Sequence, residues 1–171
     1  ECFILPILDD ILREQARSGP SAGVRAMILY PMNALANDQL KRLRYLLRGT
    51  KITFGRYVGD TPEKRPDAQN AWSVDHPGED PLSNELLSRE EMRATPPNIL
   101  LTNYSMLEYL LLRPKDAAFF SSVFGSGWRH IAIDEAHVYS GTLGTEIAYL
   151  LRRLKARVKQ ATGRDMSLRC Y

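Results

Sequence analysis

The most constraining stretch of this sequence is Arg129–Tyr139, which reads Arg-His-Ile-Ala-Ile-Asp-Glu-Ala-His-Val-Tyr. Ile131, Ala132 and Ile133 make a short apolar run; Asp134 and Glu135 follow at once, then His137. A short apolar run bounded by charge reads as a buried strand. A buried strand that ends in adjacent carboxylates puts charge at the carboxyl edge of a sheet, where open α/β sheets bind ligands. One carboxylate can hold Mg²⁺, directly or through its water shell, because that ion prefers oxygen ligands and keeps several waters. The next can orient and deprotonate an attacking water. The plainer alternative is two solvated acids after a core strand.

Bulk properties narrow the class. A chain of 171 residues, 44% hydrophobic and 25% charged, suits one domain with a real core. No apolar run is long enough to span a membrane. The opening Glu1-Cys-Phe-Ile-Leu-Pro lacks a basic leader and starts inside an apolar helical pattern, so no signal peptide is read there. Without an initial Met, the chain reads as starting inside a longer protein or as processed. Cys2 and Cys170 lie at opposite ends, lack metal-ligand spacing, and read as reduced packing residues of an intracellular, cytoplasmic protein. The net charge of +3 conceals a pattern: residues 33–59 and 141–171 each carry a net +5, and residues 60–96 a net −5. Two basic segments suit a polyanion binder, and equally the solvated faces of two helices.

The rest of the chain alternates strand and helix. Residues 2–18 read as a helix with Phe3, Ile4, Ile7, Leu8, Ile11 and Leu12 at helical spacing. Residues 25–30 read as a buried strand stopped by Pro31, and residues 33–48 as an amphipathic helix with Asn33 as its N-cap. Residues 52–58 read as the next strand. Residues 60–82, with four prolines among acids, read as a long surface loop, and residues 83–94 as a short helix capped by Ser83 or Asn84. Strands at 98–102, 130–134 and 167–171 alternate with helices at 104–112, 116–124 and 142–160, the last with a stripe of Leu143, Ile147, Leu150, Leu151, Leu154 and Val158. Such alternation predicts an α/β fold with a mostly parallel sheet and helices on both faces.

Four further segments carry meaning. Asp134-Glu-Ala-His137 resembles motif II, the Walker B element, of the DEAD/DEAH-box helicases and translocases of superfamily two. Tyr30-Pro-Met-Asn-Ala-Leu-Ala-Asn-Asp-Gln39 sits where that family has motif Ia, with a spacing similar to the RecQ-like variant. A helix N-terminus with small polar side chains also suits phosphate oxygens on physical grounds. Tyr57-Val-Gly-Asp-Thr61 resembles motif Ib, where Gly59 lets a backbone approach a strand; a plain turn is the simpler reading. Ile99-Leu-Leu-Thr-Asn103, with Ser105-Met-Leu-Glu108, resembles motif Ic, with Thr-Asn where many members have Thr-Pro. The alternative for Thr102 is a strand-end hydroxyl bonded to its own backbone. Val138-Tyr-Ser-Gly-Thr-Leu-Gly-Thr-Glu146, leading to Arg152-Arg153-Leu154, resembles the RecQ-related branch typified by mitomycin-repair helicases and by prokaryotic phage-defence helicases. Gly141 and Gly144 in it suit a tight turn and close helix packing.

The resemblance covers essentially the whole chain and implies a RecA-like, P-loop NTPase fold. It implies an ATP-driven helicase motor in which Asp134 positions Mg²⁺ on the phosphates, Glu135 activates water, and His137 links the nucleotide site to nucleic acid and the second RecA-like domain; the alternative for His137 is a satisfied structural histidine. Pro31, Asn33, Gln39, Gly59, Thr102 and Asn103 would follow the backbone of single-stranded DNA. No Gly-x-x-x-x-Gly-Lys-Ser/Thr loop occurs in the sequence. Residues 1–171 are therefore expected to be part of a first RecA-like domain, incomplete at both ends, with residues 60–96 as an acidic insertion and no ATP hydrolysis by the piece alone. A non-catalytic α/β module that docks nucleic acid or protein, and a motor that moves on duplex without unwinding, are the competing readings.

Overall fold

The computed structural model describes residues 2–31, 33–163, 165 and 167–171, without the side chains of residues 33–36. Its elements run α1 (Ile4–Ser18), β1 (Ala26–Tyr30), α2 (Asn33–Leu47), β2 (Phe54–Arg56), α3 (Arg65–Asp75), β3 (Glu85–Leu86), α4 (Arg89–Ala94), β4 (Ile99–Asn103), α5 (Tyr104–Leu112), β5 (His130–Ile133), α6 (Gly141–Thr162) and β6 (Arg169–Cys170). The strands form one sheet in the order β3-β2-β4-β1-β5-β6, and every pairing is parallel. That is the α/β architecture the alternation predicts.

Both faces of the sheet are covered. Ala26, Ile28 and Tyr30 of β1 pack with Ile4, Ile7, Leu8 and Ile11 of α1 and with Leu40, Leu43 and Leu47 of α2. Met27 and Leu29 face the other way, into Met106, Leu107 and Leu110 of α5 and Leu150, Leu154 and Val158 of α6. Alternate residues of one strand thus feed two cores, which is why β1 is apolar without interruption.

Four expectations need correction. The loop expected over 60–82 contains α3. Its prolines mark the ends of that helix: Pro66 sits in the first turn, where a missing N–H costs nothing, and Pro77 follows the last. Ala68 and Trp72 supply its buried side, and Trp72 Nε1 donates to the Glu79 carbonyl at 2.7 Å. The helix expected over 83–94 is shorter, because residues 85–86 pair with β2 instead. Its cap is Ser88, which with Glu91 forms a capping box. Ser83 and Asn84 do not cap it: Asn84 Nδ2 donates to the carbonyls of Leu47, Thr50 and Ile52. Residues 114–120 form a 3-10 segment opened by Pro114, where an α-helix was expected. Cys2 and Cys170 are free thiols but exposed, so they are not packing residues. No helix among the described residues is long and apolar enough to cross a membrane.

Candidate active site and nucleic-acid groove

Leu29 and Ile133 are the last pair between β1 and β5. The Asp134 amide donates to the Leu29 carbonyl at 3.0 Å, so the register runs on by one residue. Asp134 therefore stands beside Tyr30, on the sheet face that α1 and α2 cover. Glu135 departs from the strand. Its backbone is left-handed, φ 51° and ψ 42°, and it is the one non-glycine residue of positive φ among the described residues. A left-handed glutamate costs roughly 1 kcal/mol or more, a strain that clusters at functional positions. The Glu135 amide donates to Asp134 Oδ1 at 3.1 Å. His137 Nδ1 lies 3.4 Å from Glu135 Oε2, with the imidazole 76% and the carboxylate 44% exposed, so their pairing is weak.

Glu135 opens onto a groove of about 460 Å³ at the carboxyl edge of β4, β1 and β5. Pro31 from the end of β1, Asn103 from the end of β4, and Ser105, Tyr139 and Leu143 line it with Glu135. The structure thus brings Pro31, Asn103 and Glu135 together, three residues far apart in sequence. Parallel strands do this directly, because their carboxyl ends share an edge. Asn103 Oδ1 caps α5 by accepting from the Met106 amide at 2.8 Å.

Other candidates lie elsewhere. Thr102 is fully buried within β4, and its hydroxyl donates to the Tyr57 carbonyl at 2.7 Å. The strand runs one residue past it, so Thr102 presents no hydroxyl to the surface; it holds the segment that precedes Gly59. Gly59 is exposed, and its carbonyl accepts from Arg89 Nη2 at 2.7 Å. Gln39 is half-buried, with Oε1 buried and unpartnered. The Asn33 side chain, expected as cap and phosphate contact, lies outside the described residues.

Tyr104, Tyr139 and Leu143 were not singled out from sequence as groove residues. The available signal was a tyrosine five positions after Asp134, before two glycines. Gly141 takes φ 58°, turning the chain into α6. A Cβ at Gly144 would lie 2.6 Å from the Tyr139 carbonyl oxygen, so this glycine permits α6 to pack against the segment that bears the acids. Burial, then the charge of Asp134, raises the Tyr139 phenol above its ordinary pKa, and the same two causes raise Tyr30.

No cluster of three or more His, Cys, Asp or Glu suited to a metal occurs among the described residues. The donor set at Asp134 is a single half-buried carboxylate with one oxygen engaged by an amide. That fits Mg²⁺, which is commonly held by one or two carboxylates together with waters and substrate phosphates.

Comparison with known proteins bears on the family and the fold. The sequence profile described as DEAD/DEAH box helicase matches residues 1–166. Druantia protein DruE of Escherichia coli (strain UMEA 4076-1) is 31% identical over 92% of this chain and 13% of its own length. ATP-dependent helicase hrq1 of Schizosaccharomyces pombe is 27% identical over 90% of this chain and 12% of its own. The crystal structure of the DUF1998 helicase MrfA superposes with a TM-score of 0.65 at 27% identity, covering 99% of this chain and 21% of that one. MrfA bound to DNA and AMPPNP superposes with a TM-score of 0.62 at 27% identity, over 94% of this chain and 18% of that one. The chain therefore spans a small fraction of each relative.

Proposed function

We propose that this chain, which belongs to the DEAD/DEAH box helicase family, carries the hydrolytic acids and one wall of the strand groove of an ATP-driven DNA helicase motor. The observation that carries this reading is the placement of the two acids together at the carboxyl edge of β5. Asp134 continues the β1–β5 register by one residue, and Glu135 follows at once with its amide bonded to Asp134 Oδ1, beside the groove that also holds Pro31 and Asn103.

In this reading Asp134 binds Mg²⁺ with its carboxylate, directly or through water, and Glu135 orients the attacking water and accepts its proton. Bound magnesium supplies charge neutralisation at the phosphates. His137, exposed at the rim, reaches a strand or a second RecA-like domain. Pro31, Asn33, Gln39, Gly59 and Asn103 follow the backbone of single-stranded DNA, and Thr102 acts from beneath by holding the Tyr57 carbonyl. A MrfA structure bound to DNA and AMPPNP supports DNA and ATP as the ligands. The tests are strand displacement and ATP turnover by the full-length protein, with and without a single-stranded oligonucleotide. Strand-stimulated turnover with displacement is expected; turnover without displacement points to a duplex translocase, and no nucleotide turnover sinks the motor reading.

A further inference from the structure

α5 and α6 both start at the groove and run away from it side by side. Tyr104 and Ser105 at the start of α5, and Leu143 at the start of α6, line the groove. Two contacts join the helices along their seam: the Tyr104 hydroxyl donates to Glu146 Oε2 at 3.1 Å, and Arg153 Nη1 donates to Glu108 Oε1 at 3.3 Å. α6 buries Ile147, Leu150, Leu154 and Val158 in the core beneath it. The rest of the helix carries Arg152, Arg153, Lys155, Arg157 and Lys159 against one acid, Glu146.

The outer side of this pair of helices is exposed and aromatic. Tyr109 is 50% and Tyr149 58% exposed. Each ring carries a guanidinium over its face: Arg113 Cζ lies 4.4 Å from the centre of the Tyr109 ring, and Arg152 Cζ 5.5 Å from that of Tyr149. A guanidinium already held on a ring loses less freedom when its fork of N–H donors meets a phosphate. Each of these arginines comes nine residues after a groove residue, Tyr104 or Leu143, so both stand roughly 13 Å from the groove along their helices.

The two basic segments of the chain differ here. In residues 33–59, Lys41, Arg44 and Arg56 meet Asp38, Glu85 and Asp60. In α6, Arg153 and Lys159 are also paired, with Glu108 and Asp165. Arg113, Arg152 and Lys155 are not: among the described residues none of them has a carboxylate within ion-pair reach. Cations without a local counter-charge, continuous with the groove, suit a polyanion. A guanidinium occupies a face of each ring, so this surface offers DNA charge for a backbone and not a platform for unstacked bases.

We propose that the outer face of α5 and α6 is a second DNA surface, where Arg113, Arg152 and Lys155 hold backbone phosphates of the duplex adjoining the strand in the groove. Phosphate contacts read no base, so the surface is indifferent to sequence. The proposal rests on the reading of the groove as a DNA-strand site and adds the duplex to it.

The test uses the full-length protein and its triple variant Arg113→Gln, Arg152→Gln, Lys155→Gln. Fluorescence anisotropy gives the affinity for a labelled oligo-dT, and for the same oligo-dT joined to a short duplex, between about 50 and 200 mM salt. Wild type should bind the tailed duplex at least about tenfold more tightly than oligo-dT at low salt. Its log–log salt dependence should be steeper by about 2–3, the counterion release of three phosphates. In the variant the gain shrinks to within about twofold and the extra salt dependence disappears, while oligo-dT affinity and the thermal midpoint without DNA hold. A variant that keeps the wild-type gain overturns the proposal, and so does an equal loss for both ligands. A midpoint that falls without DNA also overturns it, because the face then packs against protein. If wild type binds oligo-dT but gains nothing from the duplex, this proposal fails and the groove reading stands; if it binds neither, both fail.

Discussion

Glu135 donates its backbone amide to Oδ1 of the preceding Asp134, 3.1 Å away, while holding a left-handed backbone of φ 51°. The bond and the twist together set how the chain leaves β5 between the two carboxylates. The twist carries a local cost that glycine does not pay. Glu135→Gly is therefore expected to keep or raise the unfolding free energy, by up to about 1 kcal/mol, once the added freedom of the unfolded chain is set against relief of strain. Urea denaturation measures it; a loss above about 1 kcal/mol means the left-handed turn is not strained.

Gly144 meets the Tyr139 carbonyl so closely that a methyl group has no room. Gly144→Ala should displace the 135–139 segment or α6, at a cost of about 1–3 kcal/mol. Gly141→Ala acts differently: nothing lies within 4 Å of a Cβ there, and its penalty comes from φ 58° alone. A combined variant should lose the sum of the two effects to within about 0.5 kcal/mol if they are independent. Gly144→Ala at wild-type stability would show that the backbone contact is soft.

A buried polar knot holds the acidic segment to the second core. Asp116 is fully buried and accepts from the Tyr57 hydroxyl at 2.5 Å and from Arg93 Nε at 2.8 Å, while Arg93 also pairs with Glu63. Arg93→Met leaves the Asp116 carboxylate without its counter-charge and is expected to destabilise by about 3 kcal/mol. Equilibrium denaturation decides it, and a change under 1 kcal/mol would mean that water replaces the guanidinium.

The fold was legible where period and composition agreed. β1, β4, β5 and α6 followed from uninterrupted apolar runs and a helical stripe, because strands buried on both faces and a long helix leave strong patterns. The hidden parts depended on weaker signals. α3 was masked by prolines that bound the helix instead of breaking it, and the Ser88–Glu91 capping box lay inside a helix expected to begin earlier. At the site, the acids and the residues at the ends of β1 and β4 could be named from sequence. The meeting of Glu135 with Pro31 and Asn103 in one groove needed strand order, and Thr102 was drawn inward by a hydrogen bond to Tyr57 that no sequence pattern announces.

Acid sensitivity should come from the opposite edge of the sheet. Burial would raise the Glu14 carboxyl, but hydrogen bonds and charges from Arg25 and Arg129 outweigh it and hold the pKa below its ordinary 4.5. A lowered folded pKa gives stability that is complete above about pH 4.5 and is lost as pH falls through the folded value. Wild type should therefore exceed Glu14→Gln in unfolding free energy above pH 5, with the gap closing below pH 4.5. A gap that is constant from about pH 7 to pH 3 would contradict the linkage.

Magnesium-dependent ATP turnover by the full-length protein and its Glu135→Gln variant tests the assignment of the two acids most directly. With the carboxylate replaced by an isosteric amide that cannot accept the proton, turnover should fall by about 10²–10⁴-fold, while magnesium-dependent binding of a non-hydrolysable ATP analogue persists. Turnover in Glu135→Gln within a few-fold of wild type would show that this strand end is not the hydrolytic site.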